Sequence, residues 1–309
     1  MMNLRKRFGL LVGLIMIISI MLTGCSASDT QEKVSSKGTV SEETCGQILF
    51  AGSTTLVPAV TQITKNFIEK NQTWDKVAPD FPKEKIEVFV SGGGSGAGVK
   101  AIIDDSSTFG MVSRNVKDEE KQEIDGYQEY KLGIDALTIS VNPENKIHEI
   151  KDTITTEELR KIFSGECRYW DEVDSRLPHD EIVVLTRDIG GGAHEVFQNT
   201  IMGETQVSKN IIQAPSMGAL VAKIMENKNA VGYASVGAVN QNEGKIVPLN
   251  VDGVAPTAEN ILSGEYKISR PLLIIARSGL NKYEQALVDY IISDEGLKVI
   301  SELGFVPAR

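Results

Sequence analysis

From Ile48 onward the apolar positions switch repeatedly between a strand period and a helix period. Residues 48–51 form a short apolar run, and 56–70 then places Val57, Val60, Ile63, Phe67 and Ile68 on one helical face. Residues 86–90, rich in β-branched and aromatic side chains, predict a second strand, followed by a glycine turn and a short helix over 98–103. A third strand is predicted over 109–112, and the acid-rich run 118–123 reads as a solvated helix face. After a polar stretch, 136–141 predicts another strand, stopped by Asn142 and Pro143.

The alternation then repeats. Thr155 and Glu158 have the spacing of a capping box for a helix through Phe163, which Gly165 ends. Strand 182–186, helices 191–201 and 216–225 and strand 230–233 follow, and strand 271–276 precedes helices 282–292 and 295–303. Strands alternating with helices predict an α/β fold on a mainly parallel sheet. The economical arrangement is two lobes, 45–135 plus 271–309 and 136–270, with the chain crossing near 134–141 and returning near 265–276. Two such lobes leave a cleft between them, where ligands of α/β folds sit.

Residues 1–24 break the pattern. Arg5, Lys6 and Arg7 precede an uncharged, mostly apolar run from Phe8 to Leu22. That is the layout of a signal peptide, and it is shorter than the ~20 residues of a spanning helix. Leu22-Thr23-Gly24-Cys25 resembles the lipobox of bacterial lipoproteins, which implies cleavage before Cys25 and lipidation of its thiol. Residues 26–44 are polar, with only Ala27, Val34 and Val40 apolar, so 25–44 is expected to be a lipidated cysteine followed by a flexible tether. The expected location is the extracytoplasmic face of the cell membrane, held by acyl chains.

Composition narrows the function mostly by exclusion. The 309 residues carry 32 basic and 42 acidic side chains, a formal net charge of −10, and losing Arg5, Lys6 and Arg7 with the leader makes the mature chain more acidic still. A chain without a basic face is a poor nucleic-acid partner. Three cysteines exclude a disulfide scaffold or a multi-cysteine zinc module, and His148, His179 and His194 lack metal-binding spacing. No metal and no cofactor is expected. Export permits a Cys45–Cys167 disulfide, with two free thiols as the alternative. Trp74 and Trp170 are read as packing residues, and His194 as exposed or stacking at a helix start.

The candidate chemistry lies in three strand-to-helix turns: Gly52-Ser53-Thr54-Thr55, Ser91 to Gly98, and Arg187-Asp188-Ile189-Gly190-Gly191-Gly192-Ala193. Glycine lets backbone approach a ligand, and a helix N-terminus presents free N–H groups to an anion. Known catalytic and nucleotide motifs fail here. Val99-Lys100-Ala101 stands where a P-loop needs Gly-Lys-Ser/Thr, Val99 breaks a GxGxxG, and Ala97 breaks a nucleophile elbow around Ser95. With no base paired to these hydroxyls, binding without catalysis is expected.

At these residues the chain resembles the phosphate-binding lipoproteins of bacterial phosphate ABC transporters. The resemblance spans about 45–309 and is carried by several motifs in order. These are Gly52 to Pro58, Gly92 to Lys100, Gly110-Met111-Val112-Ser113-Arg114, the run from Ile162 through Trp170 to Val173, and Gly232-Tyr233-Ala234-Ser235. It implies a two-lobed periplasmic-binding-protein-like (type II) α/β fold with a ligand cleft between the lobes. It further implies a monomeric receptor that closes on inorganic phosphate and delivers it to the permease subunits of an ABC transporter driven by a cytoplasmic ATPase. The implied ligand set is Ser53, Thr54, Thr55, Ser95, Ser113, Arg114, Arg187 and the backbone of Gly191, Gly192 and Ala193. The family usually reads Gly-Ser-Gly-Thr where this chain has Gly190-Gly191-Gly192-Ala193, so two hydroxyl donors are missing. Some members place an aspartate after the third strand, where this chain has Ser113-Arg114. Asp135 and Asp188 are the candidate acceptors for a ligand proton, each with a structural ion pair as the alternative. The other readings are a receptor for sulfate, molybdate or tungstate, a secreted phosphoester-processing enzyme on this fold, and a surface protein in adhesion or sensing.

Overall fold

The computed structural model describes residues 46–308. The leader, the Cys25 lipidation site, the tether and the Cys45 end of the expected disulfide lie outside the described residues.

The chain runs β1 (Ile48–Gly52), α1 (Val57–Asn71), β2 (Val88–Gly92), α2 (Ser95–Ile103), β3 (Phe109–Val112), α3 (Asp118–Gln122) and the long β4 (Gln128–Val141). Then come α4 (Ile147–Ile150), β5 (Thr153–Ile154), α5 (Thr156–Ser164), α6 (Trp170–Val173), β6 (Val183–Arg187) and α7 (Gly192–Phe197). These are followed by β7 (Ile212–Ala214), α8 (Met217–Glu226), β8 (Ala230–Ser235), α9 (Val236–Gln241), β9 (Val247–Val251) and α10 (Ala258–Ser263). The return is β10 (Ser269–Ala276), α11 (Lys282–Ile291), α12 (Asp294–Glu302) and β11 (Val306–Pro307).

The strands pair in the order β2-β1-β3-β10-β4-β8-β6-β7. β1 lies parallel to both β2 and β3, while β10 runs antiparallel to β3 and β4. β4 serves both lobes. Its residues from Gln128 to Ala136 pair with β10, and from Leu137 to Val141 they pair with β8, with Ile139–Val141 also facing β9. One lobe packs Phe50, Ile63, Phe67, Trp74, Phe109, Leu272 and Leu287 into its core. The other buries Ile139, Phe163, Trp170, Leu185, Phe197, Leu220 and Tyr233. Both tryptophans are core residues, in keeping with their reading as packing side chains.

Local rules explain most element ends. Thr155 accepts from the Glu158 amide at 3.1 Å while the Glu158 carboxylate accepts from Thr155 N at 2.8 Å, and Gly165 ends α5 in the left-handed conformation at φ 82°. Ser216, Ser235, Thr257, Asn281 and Ser293 cap five further helices. The differences from expectation are physical as well. β4 starts eight residues before the predicted 136, because 128–131 mixes polar and charged side chains whose pairing with β10 periodicity does not reveal. α2 begins at Ser95 rather than Gly98, since Gly94 takes φ 91° and completes the turn early. The predicted helix 191–201 opens into a π turn over Gln198–Met202.

Gly98 sets how closely α2 approaches the sheet. A Cβ there would stand 2.7 Å from Met111 O and 2.9 Å from Ala51 O, both backbone atoms that cannot swing aside. Gly98→Ala is expected to lower the unfolding free energy by about 1–3 kcal/mol, the usual cost of overpacking, despite the better helix propensity of alanine. Urea unfolding checks this, and an unchanged or higher midpoint would show that α2 can lift off the sheet freely.

Candidate anion-binding site

The three parallel strands β1, β2 and β3 end side by side, and each is followed by a serine at the sheet's C-terminal edge, where open α/β sheets hold their ligands. Ser53 follows β1 with its amide held by Met111 O at 2.7 Å. Ser95 opens α2, and Ser113 follows β3. All three are buried. Their hydroxyls converge: Ser53 Oγ donates to Ser113 Oγ at 2.8 Å, the Ser95 and Ser113 hydroxyls lie 3.3 Å apart, and Ser113 N donates to Ser95 Oγ at 3.0 Å.

The second lobe brings a cation to Thr54, the residue next to Ser53. Arg187 ends β6, is 2% exposed, and donates its amide to the Tyr233 hydroxyl at 2.9 Å. Tyr233 also bonds Thr186 Oγ1 at 2.7 Å and stacks on Phe197, with ring centroids 4.5 Å apart. Burial pushes its hydroxyl up to about 12, so it stays a neutral hydrogen-bonding anchor. The Arg187 guanidinium forks onto Asp188 Oδ1 through Nε and Nη2 at 3.1 and 2.8 Å, and Nη1 donates to Thr54 Oγ1 at 3.1 Å. Thr54 Oγ1 accepts again from Met217 N at 3.2 Å, so both of these donors come from the opposite lobe.

The start of α7 closes over the serines. A Cβ on Gly192 would lie 2.4 Å from Ser95 Oγ, and one on Gly191 would lie 2.9 Å from Arg187 Nη2. Glycine at 191 leaves room for the Arg187 guanidinium of its own lobe, and glycine at 192 lets the two lobes approach at Ser95. Gly191 N donates to Asp188 O at 2.9 Å, so its amide is already engaged. Ala193 is buried in the second-lobe core beside it.

Further contacts tie the lobes together. Gly96 N reaches Gly190 O at 3.4 Å, Arg114 Nε pairs with Glu195 at 3.1 Å, and Lys117 pairs with the same carboxylate at 3.4 Å. The other nitrogens of Arg114 donate to Glu120 at 2.6 and 2.7 Å and to Asn115 O at 2.8 Å. The structure thus places Arg114 in a carboxylate network spanning the lobes, and not among the serine hydroxyls. His194 is half-buried, 3.4 Å from Thr186 Oγ1, and burial holds its pKa below the ordinary value. Expected exposed or stacking, it is instead a partly covered neighbour of Thr186.

The two candidate proton acceptors are both taken up by arginines. Asp188 holds Arg187, while Asp135 is buried and accepts from Arg270 Nε and Nη2 at 2.9 and 2.7 Å on one oxygen. Its other oxygen accepts from Val236 N at 3.2 Å. Burial pushes the Asp135 carboxyl up and the Arg270 guanidinium down, and each partner's charge pulls the other way. Arg270 Nη2 also donates to Thr55 Oγ1 at 3.0 Å. Sequence reading missed Arg270. The signal was there: it is a lone charge in a strand whose neighbours from Ile268 to Ala276 are otherwise mostly apolar, and such charges are buried only with partners.

This geometry is a donor-rich cluster between two α/β lobes. The family model of the PBP superfamily domain matches residues 38–295. The chain belongs to the PBP superfamily. Among its relatives, the phosphate-binding protein PstS of Staphylococcus saprophyticus is 29% identical over 277 residues, covering 84% of this chain and 80% of the relative. A structure from Clostridium perfringens with bound phosphate, described as a phosphate ABC transporter substrate-binding protein, matches with a TM-score of 0.73 and 26% identity. That match covers 85% of this chain and all of the other. An ABC-type phosphate transport receptor from Vibrio cholerae shares the fold at a TM-score of 0.65 and 24% identity, covering 84% of this chain and 99% of the other.

In this superfamily member the Gly192 contact sets how closely the lobes approach. Gly192→Ala is expected to cost about 1–3 kcal/mol of stability and to widen the separation of the lobes. Urea unfolding and small-angle scattering check both effects, and an unaltered scattering profile would mean that Ser95 gives way instead.

Proposed function

We propose that the protein is an extracytoplasmic receptor for inorganic phosphate. The observation that carries this reading is the buried cluster of Ser53, Ser95 and Ser113 in one lobe, with Arg187 of the other lobe bonded to the adjacent Thr54. Buried hydroxyls and a planar cation match a tetrahedral oxyanion, and arginine is suited to grip two oxygens at once. In this reading Ser53, Thr54, Thr55, Ser95, Ser113 and Arg187 contact the anion, with Gly192 and Ala193 N–H groups at the start of α7. Asp188 holds Arg187 in place, and Arg114 ties the lobes through Glu195. The relatives' names as phosphate-binding proteins support this choice of ligand and a receptor rather than an enzyme.

The finer parts of the reading rest on sequence. Cys25 carries the lipid, 25–44 spaces the receptor from the bilayer, and the closed form delivers phosphate as a monomer to the permease subunits of an ABC transporter with a cytoplasmic ATPase. Cys25→Ser is expected to move the protein from the membrane fraction to the medium or soluble envelope fraction. Retention in the membrane would overturn the anchor.

A second reading, a receptor for sulfate, molybdate or tungstate, draws on one observation. Asp135 is tied to Arg270 and Asp188 Oδ1 to Arg187, so neither carboxylate stands unpaired to single out a protonated anion. Thermal unfolding of protein stripped of anion by partial unfolding and dialysis separates the readings. Phosphate at 100 times its dissociation constant adds about 2.7 kcal/mol and raises the midpoint. A rise with phosphate alone is the expected result. A rise with sulfate or molybdate instead would transfer the assignment to that anion, and no rise with any oxyanion would sink the receptor reading. Arg187→Gln should weaken phosphate binding by roughly 30-fold or more, the effect of losing a buried charged donor.

A further inference from the structure

We propose that Arg270 is a second cation of the anion site, its Nη1 donating to the bound oxyanion in place of donors that Gly191 and Ala193 lack. The proposal rests on the receptor reading and names a ligand contact which that reading does not include.

Arg270 lies on the return strand β10 directly opposite Asp135 of β4, beside the point where β4 changes partners. Its side chain is 1% exposed. A guanidinium has a side edge, Nε with Nη2, and an end edge, Nη1 with Nη2. The side edge is spent on Asp135, and Nη2 reaches Thr55 Oγ1 as well. The end edge therefore faces Thr55, and Nη1 lies on it. Thr55 adjoins Thr54, whose hydroxyl accepts from Arg187, so the two guanidiniums flank one threonine pair. They are near enough for Arg187 to disfavour the Arg270 charge.

Nη1 has no hydrogen-bond partner. Four buried side-chain nitrogens among the described residues share that state, and Arg270 Nη1 is the charged one. A buried unpaired N–H on a cation is costly, and such a group in a native protein calls for a partner such as a bound ion. Two arginines each neutralised by one aspartate, Arg187 by Asp188 and Arg270 by Asp135, leave the site without net charge. An anion supplies both the missing acceptor for Nη1 and relief of the repulsion between the two cations. Asp135 acts as a positioning residue, fixing the guanidinium so that Nη1 keeps its direction.

Phosphate binding by the full-length protein, stripped of anion and titrated calorimetrically, tests this with two variants. Arg270→Lys keeps the charge and can pair with Asp135 but has no second terminal nitrogen. The double variant Asp135→Asn with Arg270→Gln removes both charges together, which buried pairs often tolerate. Both should unfold cooperatively without anion, and both should bind phosphate roughly 10- to 100-fold more weakly than the wild type. A folded double variant or Arg270→Lys with wild-type affinity would overturn the proposal while leaving the receptor reading intact. A wild type that binds no phosphate would overturn both.

Discussion

Strand β4 is hydrogen-bonded along its length, but to different partners at its two ends. Up to Ala136 it belongs with β10 in the sheet of one lobe, and from Leu137 it belongs with β8 and β9 in the sheet of the other. The ladder cannot be broken at that point without exposing backbone groups of two cores at once. A buried ion pair, Asp135 with Arg270, sits at the exchange. Removing either partner alone would strand a buried charge, so the pair is strongly coupled to the fold even if its net contribution to stability is small. Through Thr55 on one side and the Val236 amide on the other, it also reaches residues of both lobes.

The candidate site inherits its dimensions from this connection. Parallel β1, β2 and β3 bring Ser53, Ser95 and Ser113 to one edge, and the close seating of α2 at Gly98 keeps Ser95 within 3.3 Å of Ser113. From the other lobe, Tyr233 accepts from the Arg187 amide while its ring packs against Phe197 and Phe163. Packing energy in a hydrophobic core is thereby converted into the position of a polar group. The same core supports the start of α7, which fits against Ser95 only because Gly192 has no side chain.

Charge acts locally here. The chain is acidic overall, yet arginines, hydroxyls and amides meet between the lobes, with Asp135, Asp188 and Glu195 there paired to cations. Surface carboxylates beyond about 8 Å are screened at physiological salt, whereas buried donors a few ångströms from a ligand are not. The interlobe carboxylate Glu195 illustrates the point, since it binds Arg114 and Lys117 together and spends its charge on the contact between lobes.

Local chemistry sufficed for much of this. Helix faces such as Val60, Ile63 and Phe67, the Thr155–Glu158 cap, the Gly165 stop and the serine and glycine turns after β1, β2 and β3 were legible because each depends on residues a few positions apart. The resemblance of those turns to phosphate-binding lipoproteins likewise lies in contiguous stretches. The first half of β4 was hidden because 128–131 pairs through its backbone with residues more than a hundred positions away, which leaves no apolar period. The place of Arg114 was hidden for the same reason, as Glu195 is distant in the chain. Arg270 and Asp135 are separated by 135 positions, and only the register of β10 on β4 brings them together. The sequence by itself determined the main helices, most of the strands that carry the site and the glycine- and serine-rich turns after them. The tertiary structure alone decided which charges meet, because an ion pair is set by distance in space and the chain carries no local record of that distance.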